Sequence, residues 1–442
     1  MHKPSVYLVS LGCAKNLVDS EVMLGYLIKA KFPIVRVPNK AEIIIINTCS
    51  FIREAKEESL ETIVNLSSYK KSGACNLLIV TGCLPQRYGD ALSKLIPEVD
   101  VFIGTDEFYR IVEIIEDHLN KRSSPRFYLK KTLFLYDEST PRLNTSLPGN
   151  AYVKIAEGCS HRCSFCIIPR IRGPFRSRNP DSVVKEVSNL SALGIKEINL
   201  VAQDTTRYGK DLSPSTDLAT LLRRLASLKG IEWIRLLYAH PLNLTDEVID
   251  VIREENKICK YLDLPFQHVN SEILKAMNRK YDRMFIYQLI DKIRAKIPGT
   301  ALRTTLMVGF PGETENQFNE LLDFVQEVKF DRLGVFTYSN EEGTSSFRLP
   351  DQIPEKIKEK RRQIIMSVQA EISREKNQKL VGKVEKVLIE KKEKTKWSGR
   401  TAAQAPEVDG ITYVSSDYDL KIGKFYNVLI TQAGVYDLKG VA

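Results

Sequence analysis

Residues 151–166, Ala151-Tyr-Val-Lys-Ile-Ala-Glu-Gly-Cys159-Ser-His-Arg-Cys163-Ser-Phe-Cys166, put three cysteines spaced C-x3-C-x2-C directly after an apolar run that reads as a strand. With 8 cysteines in 442 residues, independent placement would give such a triplet about 0.003 times per chain, so the spacing is a signal. Structural zinc takes four ligands, usually as two pairs on separate turns, whereas iron–sulfur clusters are held by thiolates crowded on one short loop. A four-iron cluster on three cysteines keeps one iron without a protein ligand. That iron can hold a substrate or cofactor, so the loop reads as a site of chemistry rather than of electron storage alone.

Outward from this loop, strand-like runs recur at 151–156, 197–202, 231–238, 261–264, 301–308 and 332–338, with helix-like segments between them. Six βα units are too few for a closed eight-stranded barrel, and they predict a partial (β/α)6 TIM-like barrel with its chemistry at the strand carboxyl ends. The cysteine loop ends the first strand. Gln203-Asp204-Thr205-Thr206, His240-Pro241, Gln267-His268 and Gly309-Phe310-Pro311-Gly312-Glu313 end later ones. Together they read as the lining of a substrate and cofactor cavity; taken singly, each is also an ordinary loop or capping residue. Arg170, Arg172, Arg176 and Arg178 follow the cysteine loop and suit either neutralisation of an anionic cluster, a grip on a carboxylate, or a solvated basic loop.

Upstream, short continuously apolar runs at 5–10, 42–47, 76–81 and 99–103 alternate with amphipathic stretches at 17–30, 53–66 and 86–95. This predicts an open parallel α/β sheet with helices on both faces. Three of its strands run into cysteines, in Leu11-Gly12-Cys13, Asn47-Thr48-Cys49 and Thr81-Gly82-Cys83. Parallel strands end on one edge, so the three thiols are expected to converge there, with glycine allowing close backbone approach. The competing reading is three buried core cysteines. Cys75 and Cys259 lack strand-end placement and read as packing residues.

From 121 the pattern dissolves into Lys-Arg-Ser-Ser-Pro and later Ser-Leu-Pro-Gly-Asn, a linker composition. Residues 354–380 read as a charged connector helix with a narrow stripe of Ile364, Ile365 and Val368. Short strands at 383–389, 412–414 and 425–430 predict a small terminal β-barrel. Within that barrel Glu407, Asp409, Asp417 and Asp419 gather into a candidate acidic face for a basic protein. The fold class is therefore multidomain α/β: an open-sheet domain over 1–120, a linker over 121–142, the partial barrel over 143–374, and the β-barrel over 375–442.

A hydrophobic fraction of 43% is ordinary for a globular chain, and no run of about 18 apolar residues exists, so no membrane span is expected. With no secretory leader at the start, the chain is expected to be cytoplasmic, and its cysteines to bind metal rather than form disulfides. The net charge of +10 is spread along the chain and selects no RNA partner by itself.

The C-x3-C-x2-C loop after the first strand of a βα series resembles the radical S-adenosylmethionine signature. The resemblance implies a [4Fe-4S] cluster on Cys159, Cys163 and Cys166 whose open iron chelates S-adenosylmethionine, and whose electron splits the sulfonium to give a 5′-deoxyadenosyl radical. Phe165 would then lie near the adenine, or else pack its loop; Gln203, Gly309 and Gly312 would help to bind the cofactor. The amino-terminal domain is similar to that of the methylthiotransferases, which implies a second, auxiliary [4Fe-4S] cluster on Cys13, Cys49 and Cys83 where sulfur is delivered. Ser10-Leu11-Gly12-Cys13-Ala14-Lys15-Asn16, Gly158-Cys159-Ser160-His161-Arg162-Cys163-Ser164-Phe165-Cys166-Ile167-Ile168-Pro169 and Gln267-His268 look like the branch acting on an aspartate of small-subunit ribosomal protein twelve. The terminal barrel resembles the TRAM domain, with Ala405-Pro406-Glu407-Val408-Asp409-Gly410 at a similar turn, and RNA contact through it is a further expectation.

The implied reaction uses S-adenosylmethionine both as methyl donor and as radical source. An alternative keeps the chemistry and takes an adenosine of tRNA as substrate, which the basic charge would suit. A third reading is a non-enzymatic iron–sulfur carrier with a docking barrel. Neither the sulfur source, the electron donor nor the catalytic residues beyond the cluster ligands follow from the sequence.

Overall fold

The computed structural model describes residues 3–120, 125–131, 133–394 and 396–442. The Lys-Arg-Ser-Ser stretch that opens the expected linker lies outside them. Two compact units form: Met1–Thr145 with Ala156–Arg162 and Cys166–Arg178, and Ser146–Ile155 with Cys163–Phe165 and Asn179–Ala442.

The first unit is built on five parallel strands in sequence order, β1 (Val6–Ser10), β2 (Ile43–Thr48), β3 (Leu77–Gly82), β4 (Val101–Ile103) and β5 (Phe127–Tyr128). Every residue of β2 and β3 is buried, as their unbroken Ile/Leu/Val runs require of strands covered on both sides. On one side Ile44, Ile46, Leu78 and Val80 pack with Ile63 of the helix Arg53–Ser67. β5 is two residues long and too short to be seen in the sequence. The single helix expected over 86–95 is two, Cys83–Tyr88 and Asp90–Leu95, because Gly89 adopts φ 46° and breaks the hydrogen-bond ladder. The far end of the expected linker is pinned down: Arg142 pairs with the fully buried Glu21 at 2.6 Å, and the Thr145 amide donates to the same carboxylate.

In the second unit six parallel strands lie in the order β11-β10-β9-β8-β7-β6: β6 (Asn150–Lys154), β7 (Glu197–Val201), β8 (Trp233–Leu236), β9 (Ile258–Asp263), β10 (Ala301–Val308) and β11 (Arg332–Thr337). β12 (Val384–Glu393), β13 (Lys396–Thr401), β14 (Thr412–Ser415), β15 (Phe425–Ala433) and β16 (Leu438–Val441) close a barrel in the order β12-β13-β14-β16-β15. Its core is Val387, Ile389, Trp397, Val414, Leu420, Val428, Ile430 and Leu438. Two of these strands, β13 and β16, escape sequence reading because polar and glycine residues interrupt their alternation.

The connector helix is Glu355–Gln378, and its buried face is not the apolar stripe expected. Ile365 and Ile372 are buried, but so are Lys358, Arg361 and Gln369, each bonded to the βα core. Asp409 likewise leaves the expected acidic face: its side chain is buried, accepting from the Tyr261 hydroxyl at 2.7 Å and the Ala405 amide at 2.8 Å. No helix among the described residues is long and apolar enough to cross a membrane.

Candidate metal centres

Register explains how three distant cysteines meet. Ser10 pairs with Asn47 and Asn47 with Thr81, so β1, β2 and β3 end level with one another. Cys13, Cys49 and Cys83 follow within two or three residues; Cys49 feels the charge of Cys13, and Cys83 that of both. Gly12 and Gly82 hold φ of 86° and 97°. A Cβ on Gly12 would meet the Cys49 Cβ at 2.7 Å, and one on Gly82 the Asn47 Oδ1 at 2.3 Å, so the backbone packs too closely here for any other residue.

A polar lattice ties the three strand ends together. Asn16 Nδ2 donates to the Leu11 and Thr48 carbonyls, both at 2.9 Å, and Asn47 Nδ2 donates to Asn16 O and Ser20 Oγ, both at 2.8 Å. Thr48 Oγ1 donates to Thr81 O at 2.7 Å, and Ser50 Oγ to Cys83 O at 3.0 Å. Such lattices fix ligand orientation before anything binds.

The three thiols differ in acidity. Burial pushes the Cys49 thiol up and the Cys83 thiol to about 12. Burial acts on Cys13 too, but Lys15, Arg172 and the first amides of the helix Ala14–Lys29, which Cys13 caps, hold it below the usual thiol value. The nest thus offers soft sulfur donors from three strand ends, the donor type that iron–sulfur clusters take.

Of the four arginines after the C-x3-C-x2-C loop, Arg170 is exposed, Arg178 stacks 4.1 Å over the Tyr136 ring, and Arg176 donates to the Pro174 carbonyl at 2.9 Å. Arg172 is different: its buried guanidinium reaches Asp19 at 3.0 Å, Glu157 at 3.1 Å and Asn16 Oδ1 at 2.6 Å, and lies 3.7 Å from Cys83 Sγ. Burial alone would lower its pKa, but Glu157, Cys83 and Asp19 raise it well above the ordinary guanidinium value.

The cysteine loop is closed at its base by a ribbon pairing Ala156–Glu157 with Arg176–Ser177, and the Cys159 amide donates to Gly173 O at 3.0 Å. In the second unit, Cys163 Sγ accepts from Arg279 Nη1 at 3.5 Å. Arg279 is fixed by Tyr281 OH at 2.7 Å and Pro265 O at 2.8 Å. No sequence signal separated it from other arginines, because Cys163 lies 116 positions away in the chain. Phe165 packs with Ile273, Met277, Phe310 and Tyr338.

The remaining strand-end residues divide by use. Gln203 follows β7 and is half-buried. Asp204 is spent on its loop, accepting from Thr206 N at 3.0 Å and Asn243 Nδ2 at 2.8 Å. A Cβ on Gly309 would strike Lys358 Cγ at 2.3 Å, whereas nothing lies within 4 Å of one on Gly312. Glu313 clamps this turn by accepting from the Gly309 amide at 2.7 Å and from Arg361 at 2.7 Å. His268 is fully buried, with its Nδ1 accepting from the Asn270 amide at 3.0 Å; burial, and then Arg361, lower its pKa to about 3.

Family models match the chain in three places: the Radical SAM superfamily over residues 153–325, the uncharacterized protein family UPF0004 over 5–104, and the TRAM domain over 381–442. Among solved structures, the radical S-adenosylmethionine methyltransferase TsrM from Kitasatospora setae is similar with a TM-score of 0.55 at 14% identity, over 75% of this chain and 73% of that one. The cobalamin-dependent S-adenosylmethionine radical enzyme OxsB is similar with a TM-score of 0.53 at 13% identity, over 83% and 56%. At such identities the likeness is one of fold. The Radical SAM match, together with the curated relatives that follow, defines a radical S-adenosylmethionine enzyme.

The chain is 52% identical over 441 residues to the ribosomal protein uS12 methylthiotransferase RimO of Geotalea uraniireducens, covering 99% of this chain and 98% of that one. It is 50% identical to the protein of the same name from Geobacter sulfurreducens, over the same shares. This chain belongs to the RimO family of ribosomal protein uS12 methylthiotransferases.

Proposed function

We propose that this protein converts a C–H bond at the β-carbon of an aspartate in ribosomal protein uS12 into C–S–CH3. The observation that carries the reading is identity near one half across the whole chain to methylthiotransferases named for uS12. S-adenosylmethionine and four-iron clusters are the cofactors, and when bound they supply the methyl group and a carbon radical able to take hydrogen from an unactivated carbon.

In this reading Cys159, Cys163 and Cys166 hold the radical-generating cluster, and Cys13, Cys49 and Cys83 hold the auxiliary one. Arg279 steadies Cys163 through its 3.5 Å contact, and the Asn16 and Asn47 lattice keeps the auxiliary thiols level. Phe165, Gln203, Gly309 and Gly312 belong to the S-adenosylmethionine site, Gly309 by shaping the turn that Lys358 packs against and Gly312 by leaving open space. Residues 1–120 serve sulfur insertion, 121–142 link, 143–374 generate the radical, and 375–442 dock the ribosomal substrate, with RNA contact on the same barrel. The reaction takes place in the cytoplasm, where ribosomes are assembled.

The test is anaerobic. Cys159→Ala abolishes 5′-deoxyadenosine formation, whereas Cys13→Ala still forms it but adds no methylthio mass to uS12. Equal loss of 5′-deoxyadenosine in both variants overturns this division. Steeply salt-dependent tRNA binding, with methylthioadenosine in the tRNA and no mass gain on uS12, would instead establish the tRNA substrate.

A further inference from the structure

We infer that Arg172 is a positioning residue of the auxiliary centre: it is the buried counter-charge that clamps the Cys83 side of the three-thiol nest and raises the reduction potential of what the nest holds. The inference rests on the assignment of a cluster to Cys13, Cys49 and Cys83.

Three observations converge on this arginine. Its side chain is only 2% exposed, so its charge is not screened by solvent and acts strongly on neighbours. One guanidinium edge faces the nest: Nη2 donates to Asn16 Oδ1 at 2.6 Å and to Cys83 Sγ at 3.7 Å, and Asn16 in turn bonds the strand ends that carry Cys13 and Cys49. The other nitrogen, Nη1, is held from behind by Asp19 at 3.0 Å and Glu157 at 3.1 Å. Two carboxylates fix the fork, and the fork presents donors to sulfur. A lysine has no second edge with which to do both.

The chain connection matters as much as the contacts. Arg172 ends the helix Ile168–Arg172, which leaves Cys166 after a single residue, Ile167. Ile167 and Ile171 of the same stretch pack on Cys83 itself. One short segment therefore follows the C-x3-C-x2-C loop and forms a wall of the other thiol nest. An arginine that served only to tie this segment down could end on Asp19 and Glu157; the contacts to Asn16 and Cys83 are additional.

The electrostatic consequence has a definite sign. Each electron accepted by a thiolate-bound iron–sulfur core adds one negative charge, and a donor aimed at a ligand sulfur favours that reduced form. Removing the arginine should make the potential more negative. Removing a carboxylate behind it should make it less negative.

The full-length chain with Cys159, Cys163 and Cys166 all changed to Ala isolates the auxiliary centre, which is then reconstituted anaerobically and titrated with dithionite under potentiometric control, reading the reduced cluster by electron paramagnetic resonance. Iron and sulfide counts accompany every sample. Arg172→Gln is expected to lower the ratio of reduced to oxidised cluster at fixed potential at least tenfold, a shift of 59 mV or more for a one-electron couple. Arg172→Lys should recover part of it, and Asp19→Asn should shift it the opposite way. A fully loaded Arg172→Gln chain with unchanged potential overturns the inference. Should Arg172→Gln fail to hold iron, Asp19→Asn decides, and a loaded Asp19→Asn chain whose potential is unchanged or lower also overturns it. Absence of four irons in the parent triple variant would instead defeat the cluster assignment, a result the iron count distinguishes from the other two.

Discussion

At the residue level the auxiliary nest is sensitive to a single carbon. Gly12 combines φ of 86° with a 2.7 Å approach to Cys49 Cβ, so Gly12→Ala must move either the strand end or the cysteine. The strained φ alone costs about 1–2 kcal/mol. Because Cys49 follows the end of β2 instead of lying within the strand, we expect the chain to fold but to lose about one cluster of iron on reconstitution. Circular dichroism with iron counting checks both halves of that outcome. His268 gives a pH-dependent prediction. Its folded pKa of about 3 lies below the 6.5 of the free group, because burial disfavours the cation. Between those values the unfolded chain binds a proton that the folded chain does not, so stability falls as pH falls through the window, at about 1.4 kcal/mol per pH unit. Comparing urea unfolding of the cluster-free chain at pH 7 and 5.5, wild type should lose about 1 kcal/mol more than His268→Gln.

Elements meet through buried charge where sequence reading looked for apolar stripes. The connector helix is fastened to the β10 end by Arg361, which pairs with the buried Glu313 at 2.7 Å, while Glu313 also holds the Gly309 amide. Burial raises the Glu313 carboxyl pKa and Arg361 opposes that rise. Arg361→Met strands an uncompensated carboxylate and should destabilise the chain by about 3–5 kcal/mol, whereas Arg361→Met with Glu313→Gln should cost less than the single change. A double-mutant cycle by thermal unfolding measures the difference. The same turn carries Gly312, which the proposed function assigns to the S-adenosylmethionine site; on that proposal the cofactor's affinity weakens in the single variant and is partly restored in the double.

Across the second unit as a whole, the terminal barrel is joined to the parallel sheet by an ionic core rather than by a loose tether. Arg400 of β13 pairs with Glu390 and with Glu197 of β7, and Glu197 also holds Arg235 of β8 at 3.0 Å, all of them buried. Arg235 continues to the Ala402 carbonyl at 2.7 Å, and Tyr261 reaches Asp409 in the turn beyond β13. A barrel held in this way presents its outer face at a fixed orientation to the sheet. Arg400→Met is expected to cost about 3–5 kcal/mol and to move melting of the unit to a lower temperature. Calorimetry on the full chain would show it.

Much of this was written into local sequence. The Cys159–Cys166 spacing, the unbroken apolar runs of β2 and β3, and the recurrence of six strand signals along the second unit each arise from neighbours in the chain, where periodicity and spacing are the physics. So the sheet, the partial barrel and the convergence of Cys13, Cys49 and Cys83 at one sheet edge were legible before any coordinates. Pairing was not. Whether Arg172, rather than Arg170, would face the nest depends on Asp19, Asn16 and Glu157, which lie in separate stretches of the chain. Arg279 beside Cys163, Asp409 turned inward onto Tyr261, and Arg361 under Glu313 are further cases, and β13 and β16 became strands only through their barrel partners. A charge finds its low-energy position only once folding has removed water and brought its counter-charge within hydrogen-bond reach, and that distance is fixed by tertiary structure alone.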